Sequence, residues 1–161
     1  MLRALYIEFP RDPGSWRVDD EYLLGSSLLV APLLEAGATS RDVYLPPGEW
    51  IDYQTSRRYA GGTWHTIEAG PVAAVVLVRA GTLLPLAELA QSTASLDWKH
   101  VELAAYPGSG GGGASGLLYA PGDPSPHEIS AEPRGADAGG FRVSGIPGDV
   151  SWNVVSPAGG R

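Results

Sequence analysis

Ala4-Leu-Tyr-Ile-Glu-Phe9, Val18-Asp-Asp-Glu-Tyr-Leu-Leu-Gly25 and Ser27-Leu-Leu-Val-Ala-Pro32 stand in succession near the start of the chain. Two short, largely apolar strands around a helix-sized segment predict a parallel β-α-β unit whose strands are buried on both faces. Asp12-Pro13-Gly14 predicts a turn. Asp19 or Asp20 caps a short helix through Leu24, and Gly25 supplies the left-handed residue that helix C-termini favour. Parallel strands need neighbours, yet the pattern changes after Pro32. Residues 1–33 therefore read as the end of a larger parallel sheet, and the chain as the tail of something larger. Alone, the strands at 4–9 and 27–32 are expected to leave unpaired edges and apolar faces.

Beyond Pro32, turn signals recur every eight to twelve residues, with Pro47-Gly48 and Gly61-Gly62 among them. Strands are expected at 42–46, 50–53, 63–68 and 72–78, and this spacing predicts an antiparallel β-sandwich over 34–88. The run 72–78 is apolar on both faces and is expected to be its most buried strand, with 79–81 turning into 83–85. A third segment, 89–161, suggests strands at 101–106, 116–119, 127–131, 141–146 and 150–155. The fold class expected is mainly β.

Composition narrows the function classes. The chain has 161 residues, 43% of them hydrophobic, enough to bury a core, and its 22 glycines and 14 prolines favour turns and short strands over long helices. A net charge of -7 without a basic run gives no footprint for nucleic acid or an anionic membrane surface. No window approaches the roughly twenty apolar residues of a membrane span, and Met1 is followed by a strand pattern instead of a signal sequence. The absence of cysteine removes disulfides and thiolate metal sites and is compatible with a reducing compartment such as the cytoplasm. No cofactor is implied.

Motifs that could carry chemistry have plainer readings. Gly108-Ser-Gly-Gly-Gly-Gly113 satisfies G-x-G-x-x-G, but the residues after it read as another strand, so no helix N-terminus awaits a pyrophosphate and a hairpin loop is expected. Asp19, Asp20 and Glu21 invite a general acid/base reading. Consecutive helical residues point about 100° apart, however, and capping is the favoured role. Glu8 is the better candidate for a buried carboxylate, paired with Arg3 or Arg11. His65, His100 and His127 are scattered, without metal-ligand spacing, and half-buried strand positions suit them. Trp50, Tyr53, Tyr59 and Trp64 gather as a sugar-stacking surface would, although sandwich core is the commoner use of such rings.

Four blocks carry a family likeness: 3–12, 18–32, Val43-Tyr-Leu-Pro-Pro-Gly-Glu-Trp-Ile-Asp-Tyr53 and Val78-Arg-Ala-Gly-Thr-Leu-Leu-Pro85. In order and spacing they resemble the C-terminal part of glycoside hydrolase family 31. The resemblance implies that 1–33 are the last strands of a truncated (β/α)8 catalytic barrel, that 34–88 form a proximal β-sandwich, and that 89–161 are a shortened, divergent distal β domain. Leu117-Leu-Tyr-Ala-Pro-Gly-Asp123 is loosely similar to a motif there. It also implies a retaining enzyme that cleaves α-glucosides or α-xylosides through two carboxyl groups about 5 Å apart. In the family these are aspartates on earlier barrel strands, the nucleophile within Trp-x-Asp-x-Asn-Glu. No such stretch occurs here, so no catalytic residue is assigned to this chain, and no cofactor or metal site either.

Two strands cannot close a barrel of about 250 residues, so the isolated chain is expected to be inactive and to serve a structural role. Its partner is the missing N-terminal barrel, on the same parent chain or a separate one, and oligosaccharide binds only to the complete enzyme. The alternative is a non-catalytic carbohydrate-binding or accessory module with Trp50, Tyr53 or Trp64 exposed.

Overall fold

Residues 2–32 form an antiparallel meander and not a parallel β-α-β unit. The computed structural model describes residues 2–119, 123, 125–134, 140–148 and 150–155. The first strand, β1 (Leu2–Ala4), gives way at once to a single helical turn, α1 (Leu5–Glu8). Phe9 donates its N–H to the Leu5 carbonyl at 2.9 Å, and Pro10 then lacks the donor that a further turn needs. Leu5 is fully buried while Tyr6 and Ile7 face outward. The apolar run is thus divided by helical and not by alternating periodicity.

The helix expected through Leu24 is strand as well. β2 (Tyr22–Leu24) pairs with β1 and with β3 (Leu28–Pro32), both antiparallel. A run this short lies far below the roughly 12–15 residues at which an isolated helix holds itself together. Leu24 and Leu28 instead face each other across a tight turn in which Gly25 takes φ +69°. Gly25 does supply a positive φ, but to a hairpin and not to a helix end. Asp19 and Asp20 have no helix to cap.

The chain continues through β4 (Ser40–Leu45), β5 (Glu49–Asp52), β6 (Arg58–Ala60), β7 (Thr63–Glu68) and β8 (Ala74–Arg79). One six-stranded sheet has the order β1-β2-β3-β8-β5-β6, and β4 with β7 forms a second, two-stranded one. β3 is interior, covered by β2 and β8, so the edge expected at 27–32 is filled. The run 72–78 starts its strand only at Ala74, because Val72 is exposed, but Val75, Leu77 and Val78 are sealed in the middle of the sheet. Leu29 and Ala31 of β3, Val75 and Leu77 of β8, and Val43, Leu45 and Ile67 from the facing pair share one core. This is the sandwich logic of alternating inward residues from two layers. Trp50 sits in that core, wholly buried, with its Nε1–H donated to the Pro46 carbonyl at 2.8 Å.

The chain divides into two compact units after Ala80. The second holds β9 (Thr82–Leu86), β10 (His100–Tyr106), β11 (Ala114–Leu118), β12 (His127–Pro133), β13 (Phe141–Ser144) and β14 (Ser151–Val155), in the order β13-β12-β11-β9-β10-β14. β14 runs parallel to β10, and β11 parallel to β9; the remaining neighbours are antiparallel. Leu83, Leu103, Ile129 and Ala131 anchor its core, with Phe141 and Val143 packed against them. Of the 117–123 stretch, Leu117 and Leu118 end β11, whereas 120–122 lie outside the described residues.

Candidate functional site

The best-defined polar arrangement lies in the first unit and centres on the turn after α1. Asp12 accepts the Ser15 hydroxyl at 2.6 Å, the Tyr44 hydroxyl at 2.9 and 3.0 Å and the Gly14 N–H at 3.3 Å. Partial burial pushes the Asp12 carboxyl up, but these bonds outweigh it and hold the group below its ordinary range. On Tyr44, burial and the neighbouring carboxylate act together and push the phenol up to about 12. Gly14 is required here because a Cβ would run into the Tyr44 ring. The Asp12-Pro-Gly turn expected from sequence is present, with Asp12 joining it to β4.

Glu8 is not buried; Asp52 is, and so is Glu21. Its side chain is completely enclosed; Oε1 accepts the Tyr44 N–H at 2.8 Å and lies 3.7 Å from Arg41 Nη2. Oε2 has no partner among the described residues. Burial raises the Glu21 carboxyl to about 7, with the Tyr44 N–H and Arg41 pulling the other way. Arg41 also binds Asp20 Oδ2 at 2.6 Å and the Pro32 carbonyl at 2.8 Å. Asp20 and Glu21 are therefore neighbours through one guanidinium, yet Glu21 reaches no solvent and cannot pass a proton to a substrate. A cleft of about 270 Å³ beside them is lined by Asp20, Arg41 and Asp42, without Glu21. Glu8 is only half-buried and pairs with Arg3 at 2.9 Å, one of its two expected partners; Arg79 lies 3.9 Å from its other oxygen.

The aromatic cluster separates. Trp50 is core and Tyr59 is half-buried, but Tyr53 is 40% and Trp64 53% exposed. Trp64 leans on Tyr44 with ring centres 5.4 Å apart. A pair that the sequence reading did not single out, Tyr6 and Trp16, stacks at 5.1 Å on the outside of α1. Beside it, Glu8, Phe9, Pro10, Arg11, Asp12, Pro13 and Pro47 line an open cleft of about 670 Å³.

Neither the histidines nor the glycine run forms a site among the described residues. His65 and His127 are half-buried as expected, and His100 is exposed. His65 Nε2 lies 2.8 Å from the Ala60 carbonyl, His100 bonds Asp97 at 2.7 Å and His127 lies 3.2 Å from Asp123. No group of three potential metal ligands occurs among the described residues. The run 108–113 follows strand β10 and precedes strand β11, so no helix opens there. It crosses over β9 and is not the hairpin expected.

The sequence model of the glycosyl hydrolase family 31 C-terminal domain matches residues 1–84. Alpha-glucosidase 2 of Bacillus thermoamyloliquefaciens is 32% identical over 119 residues, which is 74% of this chain and 15% of that protein. The family 31 α-xylosidase of Xanthomonas citri superposes with a TM-score of 0.70 at 28% identity, covering 99% of this chain and 19% of its own. The family 31 dextranase of Flavobacterium johnsoniae, solved with glucose, gives 0.67 at 29% identity, over 81% and 17%. The chain thus spans less than a fifth of the length of each of these relatives.

Proposed function

This chain belongs to glycosyl hydrolase family 31, and from that premise we propose that it is the structural C-terminal β domain of an enzyme hydrolysing O-glycosyl bonds of α-glucosides or α-xylosides. Its partner is the catalytic part of that enzyme, where the oligosaccharide binds and where the reacting carboxyl pair resides. The observation that carries the reading is the match of residues 1–84 to the C-terminal domain of the family, a stretch that includes every strand of the first unit's antiparallel sheets.

The chemistry of the local carboxylates supports it. A retaining pair needs two groups that touch the sugar about 5 Å apart. Glu21 is enclosed, Asp20 is held by Arg41, Asp12 is held by Ser15 and Tyr44, and Glu8 is held by Arg3. Each has a local task, and no site residue of this chain is put forward as catalytic. The barrel-closing role of residues 1–33 is not retained, because their strands are already committed to antiparallel partners within the sandwich.

The experiment is reconstitution. The chain is mixed with, or joined to, a family 31 catalytic part lacking its own C-terminal segment. Recovery of α-glucoside or α-xyloside hydrolysis, or of its thermal resistance, is the expected result; a catalytic part indifferent to the chain refutes the reading. A carbohydrate-binding role is the second reading, favoured by the exposure of Trp64 and Tyr53. It predicts retardation of the chain in an α-glucan gel that is lost in Trp64→Ala.

A further inference from the structure

The Glu21 side chain has no exposed surface; one oxygen accepts the Tyr44 N–H, and the other has no partner among the described residues. An enclosed carboxyl with one unmet oxygen is tolerable while it is neutral. Once ionised it is a buried charge, which needs a cation or several donors around it. One cation is at hand. Arg41 Nη2 lies 3.7 Å from Glu21 Oε1, outside hydrogen-bond range, and 2.6 Å from Asp20 Oδ2.

Arg41 is placed to serve either carboxyl. Its Nε donates to the Asp42 carbonyl at 3.0 Å, and its Nη1 to the Pro32 carbonyl at 2.8 Å and the Asp20 carbonyl at 3.3 Å. These backbone bonds anchor the guanidinium whichever carboxylate Nη2 takes. A charge-assisted pair sits at about 2.8 Å, so a movement of about 1 Å closes the gap to Glu21. The two acids are unequal once released. The Asp20 side chain is 40% exposed, so water can replace Arg41 there, whereas Glu21 is sealed from water. The other ionisable groups around Glu21 have their own surroundings. On the facing strands Asp42 accepts the Thr66 hydroxyl, the Tyr44 phenol is taken by Asp12, His65 lies against the Ala60 carbonyl and Glu68 is exposed. On its own side Asp19 and Glu35 are exposed, Tyr22 is half-buried and Arg3 is taken by Glu8. The charges that act on Glu21 are those of Arg41, which favours the ionised form, and of Asp20, which opposes it.

We propose that Arg41 is the moving part of a proton-driven switch: it holds Asp20 while Glu21 carries a proton, and turns Nη2 to Glu21 when that proton leaves to bulk water, which frees the Asp20 carboxylate at the cleft that it lines. One guanidinium between two carboxyls has two discrete arrangements, and a single proton selects between them. Burial raises Glu21 to about 7, so Arg41 stays on Asp20 below that pH and moves to Glu21 above it.

The test is a pair of crystal structures of the chain, at about pH 5.5 and about pH 8.5, together with a nuclear magnetic resonance titration of the chain labelled with carbon-13 and nitrogen-15. At the lower pH Nη2 is expected on Asp20; at the higher it is expected within about 3 Å of Glu21 and beyond about 4 Å from Asp20. In solution the Glu21 carboxyl, Asp20 carboxyl and Arg41 side-chain nitrogen signals are expected to move with one midpoint at about 7. In Glu21→Gln the Asp20 and Arg41 movements are expected to vanish. Arg41 on the same carboxyl in both structures overturns the proposal, as does Glu21 opened to water at the higher pH. Titration of Glu21 that leaves the Arg41 signals still overturns it too, and so does Arg41 movement that survives in Glu21→Gln. Should that variant not fold, the two wild-type structures decide.

Discussion

Glu21 makes the stability of the domain depend on pH in a direction opposite to that of most carboxylates. Its ordinary value is 4.5 and burial raises it to about 7 in the folded chain. Between those values the folded state holds a proton that the unfolded chain has released. The contribution is therefore fully present below pH 4.5 and is lost as pH rises through 7. At 1.36 kcal/mol per pH unit, the loss is about 3 kcal/mol across that window, which is a large part of an ordinary domain's stability. Asp12 works in the other direction, but its carboxyl is held low, so its influence ends below the window. The assay is urea unfolding followed by tryptophan fluorescence from pH 4.5 to 8, with the enclosed Trp50 as a reporter of the core. Glu21→Gln keeps an acceptor for the Tyr44 N–H and removes the charge. Its buried amide costs roughly 1–3 kcal/mol if its N–H groups find no partner, but that term is independent of pH. The wild-type chain is expected to lose stability toward alkaline pH, and the variant to stay flat. Parallel curves separated by a constant offset would mean that Glu21 is not the group whose titration weakens the fold.

Gly14→Ala drives a methyl group into the Tyr44 ring and is expected to destabilise the chain by about 1–3 kcal/mol, read as a lowered Tm. Asp12→Ala removes the carboxylate next to Tyr44, so ultraviolet titration of the tyrosines should show the phenol now at about 12 ionising at lower pH. Trp50→Ala empties the centre of the first core and leaves the Pro46 carbonyl without its donor, for an expected loss of about 3–5 kcal/mol by denaturant unfolding.

Local pattern carried the β architecture where a strand's own residues determine its burial. Thr63–Glu68 and the 72–78 run were legible because turn signals bracket them, and in the second of them apolar residues fill the inward positions. The opening residues were not, because an apolar run of four to six is ambiguous between helix and strand. What decided it was pairing: Tyr22 opposite Val30 and Ala31 opposite Val75 commit the segment to an antiparallel sheet. Arg58–Ala60 was missed as a strand because three residues are too few to show an alternation of their own; it is held by pairing with β5. That Glu21 and not Glu8 is buried also depended on distant groups, since the Tyr44 N–H that accommodates Glu21 is 23 residues away. One signal was available, because Glu21 shares the two-residue period of Leu23, whose side of β2 is buried. The Asp12–Tyr44 bond spans 32 residues, and the Tyr6–Trp16 stack joins α1 to the single 3-10 turn at Ser15–Arg17; neither leaves a periodic trace.

The proposal that this chain is the non-catalytic C-terminal domain of a family 31 glycosidase stands or falls on turnover of nitrophenyl α-glucoside and α-xyloside by the purified chain. No hydrolysis above buffer is expected from the chain alone, and hydrolysis is expected once a catalytic part is supplied. Turnover by the unaided chain that disappears when one of its own carboxylates is replaced by an amide would contradict it.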